Sequence, residues 1–458
     1  MMREPAFSLL APPGAFALKG KRVLVLGLGD TGLSVAQWVQ RHGGIVRAAD
    51  TRKAPPRKSD YAGELVTGNF KTSLLKGVDL VCVSPGLALT DSIFLEAAEK
   101  QIPVVGDIEL FAWDARKTKA KVLAITGTNG KSTVTALTGH LLRSARIDAE
   151  VAGNISPPAL EALAKRKKAP AAWVLELSSY QLETTWSLAP EAAAVLNLSE
   201  DHLDRYAGLA EYAAAKARIF QGRGVQVLNR CDSGSMAMAL AGRAQVTFGM
   251  DVPPMPEDFG IRNEWLVQGE ERILKAGELP ITGAHNVSNA LAACALATLA
   301  GAPLASLGAG LRSFRGLPHR MELVAERGGI AWLDDSKGTN VGATVAALNG
   351  LGRPAILILG GEGKGQDFSP LAPAVKAHAR HVVLIGRDAG LIKRALSGVD
   401  VPKEKASTLE AAVRRAAEVA QRGDAVLLSP ACASFDMFRD YKHRGEAFAA
   451  AVKELKHG

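Results

Sequence analysis

The sequence predicts an α/β protein of three successive domains, each built on an open, doubly wound, mostly parallel sheet. Apolar runs of strand length end in polar or glycine-rich loops and lead into helical patterns, and this rhythm restarts twice along the chain. Two glycine-rich turns, "GLGDTG" at 27–32 and "GTNGKST" at 127–133, each lie between such a strand and a helix. A chain of 458 residues also has room for about three ordinary domains.

In the first segment "KRVLVLG" (21–27) reads as a buried strand and "LSVAQWVQRHG" as a helix closed by glycine. "IVRAAD" (45–50) and "VDLVCVSPG" (78–86) are the second and third strands, and "IPVVGD" follows a charged helix. "WDARKTKAK" (113–121) is polar and basic and reads as a linker. The second segment runs through "VLAITG", "AAWVLELSS" and "AAAVLNLSEDHLDRY" and ends near the turn-rich "LRSFRGLPHR" (311–320). The third repeats the pattern in "GIAWLDDSKGTN", "PAILILGGEGKGQD", "HVVLIGRDAG" and "AVLLSPACASFD". These restarts set the domains at 1–113, 114–316 and 317–458. In such sheets the loops beyond the strand carboxyl ends bind ligands.

Composition narrows the function classes. Hydrophobic residues are 47% and charged residues 22%, as in soluble globular proteins. Cys82, Cys231, Cys294 and Cys432 are far apart with no C-x-x-C, which suits a reducing cytosol and argues against a disulfide framework or a zinc site. The N-terminal "MMREPAFSLLAPPGAFALKG" is too broken by Pro12, Pro13 and Gly14 for a secretory signal. Ala290–Leu311 carries no charge and is long enough to span a bilayer, but Gly301, Pro303, Gly308 and Gly310 divide it. Two packed helices joined by "GAP", and no membrane insertion, are expected. The net charge is +9, yet "KRKK" (165–168) is the one dense basic run and aromatic residues do not interleave with it. A small polyanion is the expected partner, not nucleic acid.

The turn at 127–133 departs from the common phosphate loop G-x-x-x-x-G-K-[ST], which would place glycine where Ile125 stands. Its parts nonetheless suit phosphate. Gly127 and Gly130 let the backbone approach oxygen atoms, the following helix points free N–H groups at them, and Lys131 adds a charge. The Ser132 hydroxyl can ligate Mg²⁺. "GLGDTG" fits G-x-G-x-x-G, with Asp50 closing the next strand about 20 residues on, as in dinucleotide sites. Asp30 is out of place beside a pyrophosphate, and a dehydrogenase would leave the Lys131 loop unexplained. Both loops make sense if one nucleotide supplies energy and the other is the handle of a substrate.

Single residues are ambiguous taken alone. Glu176 ends the apolar "AWVLE", where either a metal carboxylate or a strand-end cap belongs. His202 reads more readily as an ordinary loop histidine than as a ligand, and Lys216 in "YAAAKARIF" as a lysine on a helix surface. Asn286 and Asn289 share a helix face, but Asn286 also suits a cap. Lysines in the third-domain loops can simply be solvated.

Seven motifs resolve this ambiguity together. "GTNGKST", "ELSSYQLE" (176–183), "NLSEDHLDRY" (197–206), "GAHNVSNALAA" (283–293), "LPHRME" (317–322), "DDSKGTN" (334–340) and "LSPACASFD" (428–436) stand in the order seen in the Mur ligases, which the chain resembles over nearly its whole length beyond residue 20. These are ATP-dependent amide ligases of peptidoglycan precursor synthesis. Within the family, "GLGDTG", "DDSKGTN" and "GGEGKGQDF" resemble the members that add D-glutamate. The resemblance implies a Rossmann-like N-terminal UDP-binding domain, a central P-loop ATPase-type domain and a Rossmann-like C-terminal domain for the amino acid. It implies ATP and Mg²⁺ as cofactors, and UDP-N-acetylmuramoyl-L-alanine and D-glutamate as substrates. It further implies an acyl-phosphate intermediate and a cytoplasmic monomer.

Carried over residue by residue, the resemblance assigns the ATP side to Gly127, Thr128, Asn129, Gly130, Lys131, Ser132 and Thr133, with Asn286, Asn289, Arg320 and Asp335. Catalysis falls to Lys131, Glu176, His202 and Lys216. Ser132, Glu176, His202 and Lys216 would serve the metal, Lys216 as a carbamate, because a free ammonium would repel the cation. Asp30, Thr31, Gly32, Asp50, Thr51, Arg52, Ser84, Pro85 and Gly86 would hold the UDP substrate, with Asn154 and His202 near its reacting carboxylate. Lys337, Thr339, Lys364, Ser434 and Tyr441 would meet D-glutamate. Another amino-acid-adding ligase is disfavoured by "SKGTN", a folylpolyglutamate synthetase by the UDP-type first domain, and a regulatory module without chemistry by Glu176, His202 and Lys216.

Overall fold

Apolar strand runs separated by helices pair into three sheets, one after another along the chain, in a computed structural model described over residues 16–202, 205–281 and 283–455. Part of the N-terminal segment judged not to be a secretory signal (residues 1–15), and Leu203 and Asp204 of the "SEDHLDRY" motif, lie outside the described residues.

The first sheet holds β1 (Arg22–Leu26), β2 (Ile45–Asp50), β3 (Glu64–Thr67), β4 (Leu80–Val83) and β5 (Val104–Val105), in the order β3-β2-β1-β4-β5, all parallel. Side chains alternate along a strand, so the apolar run of β1 can feed two cores. Val23 and Val25 face the helices Asp30–Arg41 and Asp107–Ala115, while Leu24 and Leu26 face the helix Ser92–Glu99. The chain reverses direction of winding between β1 and β4, and their carboxyl ends open a crevice there.

The second sheet holds β6 (Lys121–Thr126), β7 (Ala149–Gly153), β8 (Ala172–Glu176), β9 (Ala192–Val195), β10 (Val225–Asn229), β11 (Gln245–Phe248), β12 (Phe259–Arg262), β13 (Trp265–Gln268) and β14 (Glu271–Lys275). Their order is β14-β13-β12-β11-β10-β9-β6-β8-β7, parallel except for the β12–β13–β14 meander at one edge. Asn263 and Glu264, both with positive φ, make the two-residue turn of its first hairpin. The uncharged stretch around 290–311 forms two helices, Ala284–Ala300 and Leu304–Ser313, packed with the helix Lys131–Ser144 over one face of the sheet. Among the described residues no helix is long and apolar enough to cross a membrane.

The third sheet holds β15 (Glu322–Arg327), β16 (Ile330–Asp334), β17 (Ala355–Gly360), β18 (Ala379–Ile385), β19 (Lys403–Lys405) and β20 (Ala425–Leu428), in the order β15-β16-β20-β17-β18-β19. Only β15 runs antiparallel to its neighbour. Helices cover both faces, Val341–Gly350 and Leu371–His378 on one and Leu409–Val419 and Tyr441–Glu454 on the other.

Two sequence expectations need correction. The strand expected at 78–86 is β4, and β3, a mostly exposed edge strand with no apolar run, precedes it. The expected linker is shorter than 113–121. Trp113 belongs to the helix Asp107–Ala115, where it is buried and donates to Glu109 Oε1 at 2.8 Å, and Lys121 opens β6. The basic run at 165–168 lies mostly on the exposed surface, where Lys165 pairs with Glu161, and Arg166 with Asp148 and Glu150.

The first two domains are fastened through the side chains of Glu109 and Asp107. Glu109 Oε2 accepts from the N–H groups of Trp186 and Ser187 at 2.7 and 2.8 Å, and buried Asp107 accepts from Gln181 Nε2 at 3.1 Å.

Candidate active site

The phosphate-type loop leaves β6 at buried Thr126 and turns twice through left-handed backbone, Gly127 at φ 152° and Gly130 at φ 82°. A Cβ on Gly130 would lie 2.4 Å from Asn289 Oδ1, so glycine is required by space as well as by φ. Gly130 then serves as N-cap of the helix opening at Lys131, which aims that helix's free N–H groups into the turn. Neighbouring loops brace it: Asn129 N–H donates to Asn197 Oδ1 at 2.8 Å, and Thr128 Oγ1 to Ser199 O at 3.1 Å.

Two lysines converge beneath the loop. Lys131 Nζ donates to Gly127 O and Thr128 O at 2.7 and 2.8 Å. Lys216, expected from its helix pattern alone to be on the surface, is 1% exposed and donates to Gly127 O at 2.9 Å. Burial lowers the pKa of both, and the Lys131 charge pushes Lys216 further, well below the ordinary lysine range.

Glu176 ends β8 and is 2% exposed. Its Oε1 accepts from Asn154 Nδ2 at 2.7 Å, while Oε2 is buried with no hydrogen-bond partner. A strand-end cap would satisfy both oxygens; a cation ligand would not. Nearby, His202 adopts left-handed backbone at φ 57° and its Nδ1 lies 2.6 Å from the Tyr180 hydroxyl. Asp201 Oδ1 accepts from His202 N–H at 2.9 Å, and its field opposes the loss of charge on Lys216. Glu176, His202 and Lys216 line one cleft of about 280 Å³ with Lys131 and Asn154.

Loops of the third sheet close over this cleft. Thr339, Lys364, Ser434 and Tyr441 line it, as does Lys337, whose Nζ sits 3.9 Å above the Tyr441 ring. Burial, reinforced by Arg320, lowers Lys337 to about 8. Arg320 donates to Ser132 Oγ at 2.8 Å, and Asn340 Nδ2 to Asn129 Oδ1 and Asp201 Oδ2, both at 3.2 Å. A second cleft of about 310 Å³ adjoins the loop and is lined by Asn129, Gly130, Thr133, Asn286 and Asn289 together with Arg320 and Asp335. Asn286 is not a cap, since Gly283 holds that position and Asn286 instead accepts from Asn289 Nδ2 at 3.1 Å. Burial raises Asp335 to about 7, and its Oδ2 accepts from Ser429 Oγ at 2.7 Å.

The crevice of the first sheet is lined by Asp30, Thr31, Asp50, Thr51 and Arg52 on one side and Ser84, Pro85 and Gly86 on the other. Gly32 does not line it; a Cβ there would meet Gly27 O at 1.8 Å, so this glycine packs the helix onto the turn. Asp50 is not left open for a ribose hydroxyl as the dinucleotide pattern expects. Burial works against its charge, but Arg52 and the N–H groups of Leu28 and Arg52 outweigh that and hold it near about 2. Asn154 lines this crevice and the reactant cleft alike.

Sequence reasoning missed Tyr180, Asp201, Asn340 and Arg444. All four stand within or just beyond the quoted motifs. Arg444 is 1% exposed and donates to Ser336 Oγ, Ser336 O and Cys432 O, tying the loops "DDSKGTN" and "LSPACASFD" together. The densest group of acidic and histidine ligand atoms among the described residues is elsewhere, at His319, Glu322 and Asp334, and satisfies itself: Glu322 accepts from His319 N–H and Asp334 bonds His319 Nδ1.

Comparison with known proteins decides what this arrangement belongs to. Three family models match in chain order: the Mur ligase MurD-like N-terminal domain over 21–106, the Mur ligase middle domain over 125–297 and the Mur ligase glutamate ligase domain over 319–432. The chain belongs to the Mur ligase family. A Mur ligase of Nitrosospira multiformis named UDP-N-acetylmuramoylalanine–D-glutamate ligase is 55% identical over 96% of both chains, and one of the same name from Aromatoleum aromaticum is 54% identical over 96% of this chain and 98% of its own. The Mur ligase fold is shared with the solved UDP-N-acetylmuramate–alanine ligase of Thermotoga maritima at TM-score 0.61 and 19% identity, covering 95% of this chain and 100% of that one. MurF of Acinetobacter baumannii matches at TM-score 0.62 and 18% identity, covering 96% and 91%.

Proposed function

We propose that this Mur ligase joins D-glutamate to UDP-N-acetylmuramoyl-L-alanine, using ATP to activate the L-alanyl carboxylate as an acyl phosphate that the D-glutamate amine then attacks. The observation that carries this reading is Asn154. It lines the first-domain crevice and the reactant cleft together and bonds Glu176, so a long substrate held at one end by the crevice reaches the phosphate loop with the other. The relatives named D-glutamate ligases support the choice of substrates.

ATP fits the chain's residues. The loop turns through positive φ at Gly127 and Gly130 into the N-terminus of a helix, and the adjoining cleft of about 310 Å³ with Asn286, Asn289, Arg320 and Asp335 is of nucleotide size. Mg²⁺ fits as well, since Glu176 Oε2 is a hard oxygen buried without a partner. Ser132 and His202 complete the candidate ligands, and bound Mg²⁺ would neutralise phosphate charge. Lys216 fits only after modification. Its depressed pKa favours the free amine, which can add CO₂ with loss of a proton to give a carbamate anion.

Within the cleft, Lys131 meets the phosphate charge that builds up during transfer. Lys364, Thr339 and Ser434 bind the two carboxylates of D-glutamate, with Lys337 and Tyr441 beside them. Arg320 and Asn340 hold the third domain against the loop and exclude water from the reactive intermediate. What supports a cytoplasmic setting is four unpaired cysteines, three of them buried. The test is phosphate release from ATP that requires both UDP-N-acetylmuramoyl-L-alanine and D-glutamate. Release that needs neither, or that prefers another amino acid, overturns the reading.

A further inference from the structure

We infer that Tyr180 is a positioning residue for His202: its hydroxyl oxygen accepts the Nδ1 proton, so that Nε2 presents its lone pair to the reactant cleft. The inference rests on the proposed role of His202 as a ligand of the nucleotide's cation. The geometry is on the page. Tyr180 Oη and His202 Nδ1 are 2.6 Å apart, with ring centroids at 4.8 Å and planes at 60°. A histidine that ligates through one nitrogen characteristically donates its other N–H to a fixed acceptor, which sets tautomer and ring orientation together.

The acceptor is itself held on three sides. Tyr180 lies in the short helix Ser179–Glu183, whose start is closed by a reciprocal Ser178–Gln181 capping box. The Arg205 guanidinium lies 4.1 Å over the Tyr180 ring, and Tyr206 stacks alongside it at 6.0 Å. Arg205 is fixed by its ion pair with Glu183, which also accepts from the Tyr206 hydroxyl at 2.5 Å. Arg205 further donates to Leu87 O at 2.8 Å and Pro85 O at 3.4 Å. Those two carbonyls belong to the loop that walls the first-domain crevice. The loop gripping the far end of the substrate and the histidine at its reacting end are thus joined through two side chains, Arg205 and Tyr180. His202 takes left-handed backbone within this frame, at φ 57°.

The test reads the tautomer directly. In the metal-free, full-length protein with ¹⁵N-labelled histidine, the His202 signals are assigned by their loss in His202→Asn. We expect a protonated Nδ1 and a bare Nε2, the reverse of the tautomer that water favours. Tyr180→Phe keeps the ring and its stacking but removes the oxygen. It should return His202 to the Nε2–H form and weaken Mn²⁺ binding, followed by electron paramagnetic resonance, roughly tenfold or more, while the KM for D-glutamate is little changed. A wild-type His202 protonated on Nε2 overturns the inference. So does a Tyr180→Phe protein with unaltered tautomer and Mn²⁺ affinity. The wild-type tautomer needs no variant, so a misfolded mutant leaves the test intact. Failure of D-glutamate-dependent phosphate release would overturn the proposed function instead, whatever the tautomer.

Discussion

Lys131 and Lys216 donate to one oxygen atom, the Gly127 carbonyl, at 2.7 and 2.9 Å. Two buried ammonium groups on a single acceptor repel each other, and the strain falls on Lys216, whose pKa burial and Lys131 drive well below the ordinary range. The pair therefore divides its work. On the proposed mechanism one lysine stays a cation for phosphate, and the other, its pKa driven lower, is the amine open to carbamylation.

The cationic half is tested by Lys131→Ala. On the proposed mechanism this variant loses turnover by 10²-fold or more, on the order of 3 kcal/mol of transition-state stabilisation. Steady-state kinetics with near-normal turnover would remove Lys131 from the chemistry.

The modified half is tested by Lys216→Ala, which should be nearly inactive and partly restored by formate or acetate supplying the missing anion. Mass or crystallographic measurement on the active, Mg²⁺-loaded enzyme should find the carbamate. A free ammonium there would count decisively against it.

Asp335 gives a pH signature in stability. Burial raises its carboxyl from 3.8 to about 7, so the folded state holds this proton more tightly than the unfolded state. The stabilising contribution is complete below the unfolded value and lost as pH rises through 7. Asp335→Asn retains an acceptor for Ser429 Oγ and removes the charge. It should raise Tm by roughly 2–4 °C at about pH 8.5, equivalent to about 1 kcal/mol, and change it little at about pH 5. A shift of equal size at both pH values would rule out titration of Asp335 as the cause.

On the proposed function, acceptor choice rests on third-domain cations. Lys364→Met should raise the KM for D-glutamate far more than that for ATP or the UDP substrate, since a charge-assisted hydrogen bond to a bound carboxylate is worth roughly 1.5–3 kcal/mol. D-Alanine lacks the second carboxylate and leaves a cation unpaired, so it should be a much poorer acceptor. Competition among D-glutamate, D-alanine, L-glutamate and meso-diaminopimelate measures this, and preference for either of the last two would refute the third-domain assignment.

The parts of the site that sequence reveals carry their chemistry locally. Gly127, Gly130 and Lys131 form a loop between strand and helix whose residue types suit only a few tasks, and Glu176 is marked by closing an apolar run. Burial of Lys216 leaves no such mark. Its neighbours are alanines, which fit a helix surface as readily as a packed face, and the approach of Thr126, Gly127 and Tyr212 makes the position interior. Tyr180 and Arg205 are equally silent, because their meaning lies in contacts from other loops. In the fold, β3 and the β12–β14 meander escaped notice because short, part-exposed edge strands lack the long apolar run by which central strands are recognised.

The junctions on either side of the central domain are made of different material. The first domain is pinned to it through backbone amides received by Glu109, the third through side-chain tips such as Arg320 on Ser132 and Asn340 on Asn129. On the proposed function the first-domain junction makes a length gauge: the donor has to run from the crevice at Thr51 past Asn154 to the cleft at the phosphate loop. The third domain's contacts end on Ser132 and Asn129, so on the same proposal the domain that carries the acceptor is seated on the loop that holds the nucleotide.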